Sequence, residues 1–362
     1  MDERFYYLGF SAFPGIGPRK FEGLLKYFGS AKEGWNADQS DLKKVLGENL
    51  GSKLEDFRKK FSIEEYAQKL KDKNVWFVTI NDKEYPELLK QIKRPPFLLY
   101  GKGQKFHRTS LAPVIAIVGT RKITSYGRHV TEMFTKELVD AGFTIVSGMA
   151  MGVDCVSHKT AIENAGKTIA VLGSGVDLCF PSSNISIYNG ILKSGDSLIS
   201  EFPLGQQPSK GSFPSRNRII AGMSQAVLVT EGAEDSGSLI TADYALSFGR
   251  PVFAVPGPIT SSLSKGPFKL ISKGAKLVTE PKDILQALHI KETGRDKGDK
   301  RTKWETKEER MVLEVLENED LNFDEILKKT KINASKLGSA LSLMEIKGFI
   351  KTSSDGLFSL AS

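Results

Sequence analysis

The residues best suited to chemistry lie in one stretch, FPSRNRIIAG, at residues 213–222. Arg216 and Arg218 flank an asparagine there, and Phe213 lies three positions upstream, with Lys210 three positions before it. Arginine is costly to bury unless an anion meets it. A loop with a lysine, an aromatic ring and then two arginines can follow a phosphodiester backbone while a base stacks on the ring. The spacing therefore predicts a site for a phosphate-containing ligand.

Structural roles for the same side chains remain open at this level. The Phe213 ring could be an ordinary core side chain. The arginine pair could form a buried ion-pair cluster with Glu201 or Glu231. Because residues two apart on a helix do not face each other, we expect that Arg216 and Arg218 do not both point into the core.

Glycine-rich turns follow five of the predicted strands. In an open parallel sheet, ligands bind beyond the carboxyl ends of the strands, so these turns are predicted to share one edge. Exposed amides at helix N-termini, together with Arg121 in the first turn, would form a phosphate site. Glycine also ends many strands for purely structural reasons. The turns are GTR (119–121), SGMAMG (147–152), GSG (173–175), EGAEDSGS (231–238) and PGP (256–258).

The elements that must position these turns are predicted between residues 111 and 290. Apolar, β-branched runs alternate there with amphipathic stretches such as residues 125–142 and 238–249. This alternation is typical of a parallel sheet covered on both faces, so the predicted fold class is a doubly wound α/β domain. The predicted strands are VIAIVG (114–119), FTIVSG (143–148), KTIAVLG (167–173), SLISEF (197–202), AVLVTEG (226–232), PVFAVPG (251–257) and AKLVTE (275–280).

The N-terminal part is predicted as short helices over residues 1–70 and a connector over residues 71–110. FPGIGPRKFEGLLKYFG (13–29) has the glycine spacing of a helix-hairpin-helix turn. Gly15 and Gly17 permit a tight turn, and their amides could face a phosphate. The same pattern also suits a plain corner between packed helices. The connector contains the strand-like NVWFVTI and a proline-stiffened RPPFLLYGKG.

The C-terminal part follows a linker predicted at residues 291–303, whose polar composition suggests mobility. Residues 304–362 have the periodicity of three helices and a hairpin, which indicates a winged helix. Winged helices commonly read DNA, but this segment has 8 basic and 11 acidic residues. A net acidic module binds phosphates poorly, so we expect it to contact protein.

Charge and composition restrict the class of protein further. The net charge is +8, and residues 1–110 hold 21 basic against 15 acidic side chains, which permits a nucleic-acid partner. No apolar run is long enough to span a bilayer, and we expect no secretory leader. Cys155 and Cys179 are predicted to be reduced thiols in a cytoplasmic protein. Neither the cysteines nor the four histidines have metal-ligand spacing, so no metal is expected.

The motifs of common nucleotide enzymes do not occur in the chain. There is no GxxxxGK[ST] loop, and GTRKITSYG is not G-x-G-x-x-G, so neither ATP nor a dinucleotide is predicted as a cofactor. Asp154 and His158 are four apart on a predicted helix. They could form a catalytic pair, but such a pair more often fixes a loop near a helix start.

Several motifs, in order, carry a family resemblance. GTRKITSYG, SGMAMGVDCVSH, TIAVLGSGVD, SEFPLG, FPSRNRIIAGMSQAVLVTEGAEDSGSLITADYAL and VFAVPG resemble the DNA-processing protein A family (DprA, also called Smf). With YPELL and PPFLLYG, the resemblance covers about residues 5–290. It implies an extended Rossmann domain after a small helical domain of the sterile-alpha-motif type, and it is compatible with the C-terminal winged helix.

The resemblance also implies a function and a site. The family binds single-stranded DNA, protects it and hands it to the recombinase RecA during natural transformation, and its Rossmann domains dimerise; no catalysis and no cofactor are implied. Phe268 stands where the family pattern has asparagine, which affects the loop around Lys265. The implied DNA-binding residues are Gly119, Thr120, Arg121, Gly148, Lys210, Phe213, Arg216, Asn217, Arg218, Ser236, Gly237, Ser238 and Lys265.

The alternative is a nucleotide-binding Rossmann enzyme or sensor similar to the cytokinin-activating phosphoribohydrolases. Those enzymes carry PGGxGTxxE, in which the glutamate is catalytic. Here Gly237 and Ser238 occupy the GT positions, and Thr241 stands in the glutamate's place. Without that carboxylate, a hydrolase lacks its acid–base group.

Overall fold

The chain folds into two compact units, Met1–Gly294 and Arg295–Ser362. The linker predicted at residues 291–303 lies outside the described residues. In the part of the chain that the structure describes, no helix is long and apolar enough to cross a membrane. The computed structural model describes residues 1–105, 112–290, 307–316, 319–346, 349–353 and 356–360.

Six helices open the first unit, where the sequence predicts short helices. The side chains of Asp2, Ser30 and Ser62 accept hydrogen bonds from amides in the first turns of three of them, which is the role of an N-cap residue. The helices pack around a core rich in aromatic rings, including Phe21 and Trp35. They are α1 (Glu3–Ala12), α2 (Pro18–Phe28), α3 (Ala31–Asn36), α4 (Gln39–Leu46), α5 (Glu48–Arg58) and α6 (Ile63–Asp72).

Among its described residues, the sheet of the first unit has nine strands: β1 (Val75–Thr79), β2 (Leu98–Gly103), β3 (Val114–Val118), β4 (Thr144–Ser147), β5 (Lys167–Val171), β6 (Ser197–Ser200), β7 (Ala226–Val229), β8 (Val252–Ala254) and β9 (Lys276–Leu277). Their order is β1-β2-β6-β5-β4-β3-β7-β8-β9. Strands β3 to β9 run parallel to one another. Beside β6, β2 pairs antiparallel with it, and β1 pairs antiparallel with β2. All seven strands predicted after residue 111 are present.

The connector predicted at residues 71–110 requires a correction, because its proline-stiffened segment RPPFLLYGKG contains a strand. The run NVWFVTI contains β1, as its pattern suggests, but LLYGKG forms β2 and is paired on both sides. Gly101 of β2 lies opposite Trp76 of β1, and a Cβ at Gly101 would collide with the indole ring. Gly101, one of the two glycines that make this segment resemble a loop, therefore leaves room for a cross-strand tryptophan.

The helical part and the sheet share one hydrophobic core. Phe97, Leu98 and Tyr100, at or just before β2, belong to the same buried cluster as the N-terminal helices. The Phe21 ring of α2 stacks on Phe97 with 4.0 Å between centroids. The N-terminal helices are therefore fixed against the sheet.

Helices cover both faces of the sheet, which confirms the doubly wound fold. Ala116 packs with the helices after β6 and β7, while its neighbour Ile117 packs with those after β3 and β4, as expected for side chains that alternate along a strand. The helices are α7 (Glu87–Lys90), α8 (Ser125–Asp140), α9 (Val153–Glu163), α10 (Ile185–Lys193), α11 (Ser212–Met223), α12 (Gly237–Ser247), α13 (Lys265–Ser272) and α14 (Pro281–Ala287).

The part of the C-terminal unit that the structure describes forms three helices and a hairpin, as predicted for a winged helix. Its core includes Ile326, Leu337 and Met344. Asn322 and Glu325 form a capping box at the start of the second helix, which satisfies two amides there. The elements are α15 (Lys307–Leu316), α16 (Phe323–Thr330), α17 (Ala334–Ile346), β10 (Ile350–Thr352) and β11 (Phe358–Leu360).

Candidate nucleic-acid interface

The candidate site lies along the carboxyl edge of the sheet, defined here as the edge where strands β3 to β9 end. Strand order reverses between β3 and β7, and ligands of doubly wound sheets bind at such a switch point. The Thr120 amide, after β3, donates to the carbonyl of Glu231, after β7, at 2.7 Å. A Cβ at Gly119 would lie 2.6 Å from the same carbonyl oxygen. Glycine is therefore needed at this position for the two turns to meet.

Glu231 is buried at the switch point, where it supports the first turn of α8. Its carboxylate accepts hydrogen bonds from the Thr124 amide at 3.0 Å and the Thr124 hydroxyl at 2.6 Å. Thr124 is the N-cap residue of α8, and a carboxylate near a helix N-terminus is stabilising. Glu231 therefore does not form the ion pair with the arginines that the sequence left open.

Arg216 lies beneath the carboxyl edge and is only 5% exposed. Its Nη1 donates to the carbonyl of Val171, the last residue of β5, at 2.6 Å, while its Nε is buried without a partner. Asp154 is its anionic neighbour: burial raises the pKa of this carboxyl, and the charge of Arg216 opposes that shift. A Cβ at Gly148 would collide with the Arg216 guanidinium. Arg216 thus places a buried positive charge under the edge.

Arg218 is engaged elsewhere. It pairs with the carboxylate of Glu201, just after β6, and donates to the Arg94 carbonyl at 2.8 Å. The side chains of Arg218 and Glu201 are each 11% exposed. The two arginines point in different directions: Arg216 reaches under β5, while Arg218 turns toward β6 and the chain before β2.

Phe213 and Arg121 form the accessible centre of the edge. The guanidinium carbon of Arg121, which is exposed, lies 5.4 Å from the centroid of the half-buried Phe213 ring. A Cβ at Gly173 would lie 3.0 Å from this ring, so the ring lies over the turn after β5. Phe213 is outside the buried hydrophobic clusters, which disfavours the core interpretation.

A second ring at this position was not identified from the sequence. Phe180 is 48% exposed, and its centroid lies 5.7 Å from that of Phe213. The only sequence signal is an aromatic residue shortly after the GSG turn, which is too common a pattern to single out a site. Together Arg121, Phe213 and Phe180 make a partly exposed aromatic and cationic surface.

The start of α12 supplies the other polar residues that the sequence predicts. Asn217 donates from its side chain to the Gly237 carbonyl at 3.1 Å, which ties α11 to α12. The hydroxyl of Ser236, the N-cap residue of α12, lies 2.8 Å from that of Ser238. Gly237 is exposed, and a Cβ there would meet nothing within 4 Å. This helix start is open to solvent.

The two predicted lysines are exposed at separate points. Lys210 lies just before α11, and Lys265 begins α13. Next to Lys265, Gly266 donates from its amide to the Gly232 carbonyl at 2.8 Å. The α13 start therefore packs on the turn after β7, and Phe268 is half-buried beyond it.

His158 and Asp154 are both buried, but their side chains form hydrogen bonds with other groups rather than with each other. The His158 ring lies 2.6 Å from the Gly148 carbonyl through Nε2 and 2.6 Å from the Thr168 hydroxyl through Nδ1. Because a carbonyl only accepts, Nε2 carries the proton, and a neutral ring accepts from Thr168 at Nδ1. Burial lowers the pKa of His158 to about 4. His158 thus fixes the SGMAMG turn. Among the described residues, no group of three or more His, Cys, Asp or Glu side chains could hold a metal ion.

Fold and edge together define the class of protein: a Rossmann-type α/β protein with glycine-rich turns and cations along one edge of its sheet, joined to a winged-helix unit. The family model of the DNA recombination-mediator protein A matches residues 76–289, and that of the DprA winged helix domain matches residues 300–356. The chain belongs to the DNA recombination-mediator protein A (DprA/Smf) family, which confirms the resemblance.

Individual relatives agree with this membership. Protein Smf of Synechocystis is 38% identical over 290 residues, which are 79% of this chain and 73% of that protein. DNA processing protein DprA of Bacillus subtilis is 41% identical over 236 residues, 63% of this chain and 79% of that protein.

Two solved structures share the fold. DprA of Streptococcus pneumoniae has a TM-score of 0.67 at 34% identity and covers 79% of this chain and 97% of its own. DprA of Helicobacter pylori has a TM-score of 0.51 at 29% identity and covers 59% of this chain and 95% of its own. The Helicobacter structure concerns that protein's single-stranded DNA binding mode.

Proposed function

We propose that this protein binds single-stranded DNA along the carboxyl edge of its sheet and acts as a recombination mediator. The observation that carries the proposal is the pair formed by exposed Arg121 and half-buried Phe213. A guanidinium can hold a phosphate while the adjacent ring accepts a base, and only an unpaired strand offers its base faces for stacking.

The rest of the edge supports the same ligand. Lys210 and Lys265 are exposed, and the start of α12, at the exposed Gly237, is the positive end of a helix dipole. Arg216 contributes through its buried charge, so we propose that it acts at longer range than the exposed cations. Arg218, which pairs with Glu201, is proposed to hold the turn after β6.

The cellular role rests on family membership. In this proposal the protein protects incoming single-stranded DNA in the cytoplasm, loads RecA onto it during natural transformation, and dimerises through its Rossmann domain. It has no catalytic activity of its own. The nucleotide-enzyme alternative has less support, because Thr241, in the position of the hydrolase glutamate, is 1% exposed within α12.

Fluorescence anisotropy with labelled single-stranded and duplex oligonucleotides, over a salt series and with or without ATP, tests the proposal. We expect a preference for the single strand, no effect of ATP, and a log–log salt slope of about −0.7 for each phosphate neutralised. Equal affinity for duplex DNA, or no response to salt, would contradict it. RecA filament formation on strands covered by single-strand-binding protein, with and without this protein, tests the loading step.

A further inference from the structure

A cavity of about 390 Å³ lies beside the candidate interface, between the N-terminal hairpin and the turn after β6. The hairpin supplies residues 13–18, and Phe97 and Phe202 supply rings. Its walls are mostly aromatic rings, prolines and glycines, which suit a flat apolar ligand. The polar side chains of its lining are those of Ser11, Glu201 and Gln206.

Among the lining residues, Glu201 has an unsatisfied acceptor. One of its carboxylate oxygens pairs with Arg218, while Oε1 is buried without a hydrogen-bond partner. The Ser215 hydroxyl lies close enough to this carboxylate to oppose the rise that burial causes in its pKa, but it donates to the Ser212 carbonyl at 3.0 Å. An unpaired buried acceptor is unfavourable, so a ligand with an N–H group would find a partner here.

The cavity continues the proposed DNA path. Phe213 lies over Gly173, and two residues on, the Gly175 amide donates to the carbonyl of Gln206, a cavity residue, at 2.9 Å. The turn beneath the Phe213 ring is thus hydrogen-bonded to a residue that lines the cavity.

The cavity is held open by contacts between the helices and the edge. The Leu204 amide donates to the Tyr66 hydroxyl at 3.0 Å, and the Gly205 amide donates to Asp177 at 2.9 Å. Asp177 also pairs with Lys73, just after α6, at 2.9 Å. These bonds fix the turn after β6 against the N-terminal helices, so the cavity exists before any ligand binds.

We infer that this cavity receives one nucleobase of the single strand bound at the carboxyl edge. The inference rests on the proposed function and extends its path to the N-terminal hairpin. The base lies among the rings and prolines and donates an N–H from its Watson–Crick edge to Glu201. Exposed Arg19 and Lys20, in the first turn of α2, meet the flanking phosphates.

Gly17 offers a way to fill the cavity without disturbing the fold. It lines the cavity, its φ of −93° suits any residue, and a Cβ there meets nothing within 4 Å. Gly338 in α17 is a matched control, because its Cβ would also meet nothing within 4 Å and it lies in the other unit. The test compares Gly17→Phe, Gly338→Phe and the unmodified protein with oligothymidylates of increasing length.

We expect the affinity for oligothymidylates to rise with their length until a strand bound at Phe213 is long enough to reach the cavity as well. Gly17→Phe should abolish that last rise, a loss of roughly 5-fold to 100-fold, as for one stacked base. It should leave the shortest bound strands unaffected, and Gly338→Phe should match the unmodified protein throughout. If Gly17→Phe binds oligothymidylates of every length normally, the inference is wrong. A peptide segment of a partner protein would then be the expected occupant of the cavity. If the unmodified protein binds no single strand, the proposed function fails instead.

Base burial gives a second measurement that does not depend on the variants' affinity. A single 2-aminopurine, moved along the oligonucleotide, should be quenched at two positions at saturation. Phe213→Ala should remove only one of them and Gly17→Phe only the other. A single quenched position, sensitive to Phe213 alone, would overturn the inference.

Discussion

At the scale of single residues, a substitution at Phe213 distinguishes a ring that stacks on a DNA base from a ring that packs in the core. Its ring is half-buried beside Arg121 and lies outside the hydrophobic clusters. We therefore expect Phe213→Ala to weaken single-strand binding by roughly 1–3 kcal/mol, with little change in melting temperature. Anisotropy and thermal denaturation of the same preparation measure the two effects. A loss of about 3–5 kcal/mol of stability with normal binding would identify a core side chain instead.

Removing the charge of Arg216 should reduce the stability of the protein, whereas removing the charge of Arg121 should reduce its affinity for DNA. Arg216→Met leaves the buried Asp154 carboxylate without its neighbouring cation, which should cost about 3–5 kcal/mol of unfolding free energy. Arg121→Met, at an exposed site, should keep that free energy within about 0.5 kcal/mol. It should weaken binding by roughly 1.5–3 kcal/mol and reduce the salt slope by about 0.7. Chemical denaturation and salt titration measure these quantities; a stable Arg216→Met that binds poorly would instead make Arg216 a direct DNA contact.

His158 should make stability depend on pH. Burial lowers its pKa from 6.5 to about 4, so the folded state binds fewer protons than the unfolded state between these values. This contribution is fully present above pH 6.5 and is lost as the pH falls through about 4, which amounts to about 3 kcal/mol. Denaturation curves of His158→Gln should lack this component, whereas those of His129→Gln, at an exposed position, should retain it. Identical pH profiles for both variants would contradict the assignment.

The site residues differ in how far the sequence could predict their positions. Arg121 and Phe213 come together as expected, because parallel strand ends share one edge and each residue follows a strand. The directions of Arg216 and Arg218 depend on which buried acceptors lie nearby, namely the Val171 carbonyl and Glu201. Those acceptors are 45 and 17 residues away in sequence, so periodicity alone cannot reveal them.

At the scale of elements, the strands after residue 111 could be predicted because both faces of the sheet are covered and each strand is a continuous apolar run. The segment that forms β2 could not, since two glycines and a preceding Pro-Pro pair are typical of a loop. Its strand character depends on Trp76, which fills the space beside Gly101 from the neighbouring strand. A contact between two strands of different segments leaves no local periodic signal.

The N-terminal helices show the same dependence on distant contacts. Their caps and amphipathic faces are visible in the sequence, but their common core with Phe97 and Tyr100 is not. This shared core places the hairpin with Gly15 and Gly17 beside the carboxyl edge. If the adjoining cavity binds a ligand, the hairpin is a ligand contact; otherwise it is a structural corner.

At the scale of the whole molecule, we expect the first unit to bind DNA and the winged-helix unit to contribute little to that binding. The candidate interface lies entirely within the first unit, whereas residues 304–362 hold 8 basic and 11 acidic side chains. A chain ending at residue 290 should therefore keep most of its single-strand affinity and its salt slope, because few phosphate contacts are lost. Anisotropy over a salt series compares it with the full chain, and circular dichroism checks that it is folded. A folded truncated chain that loses nearly all affinity would assign the DNA contacts to the winged-helix unit, despite its net negative charge.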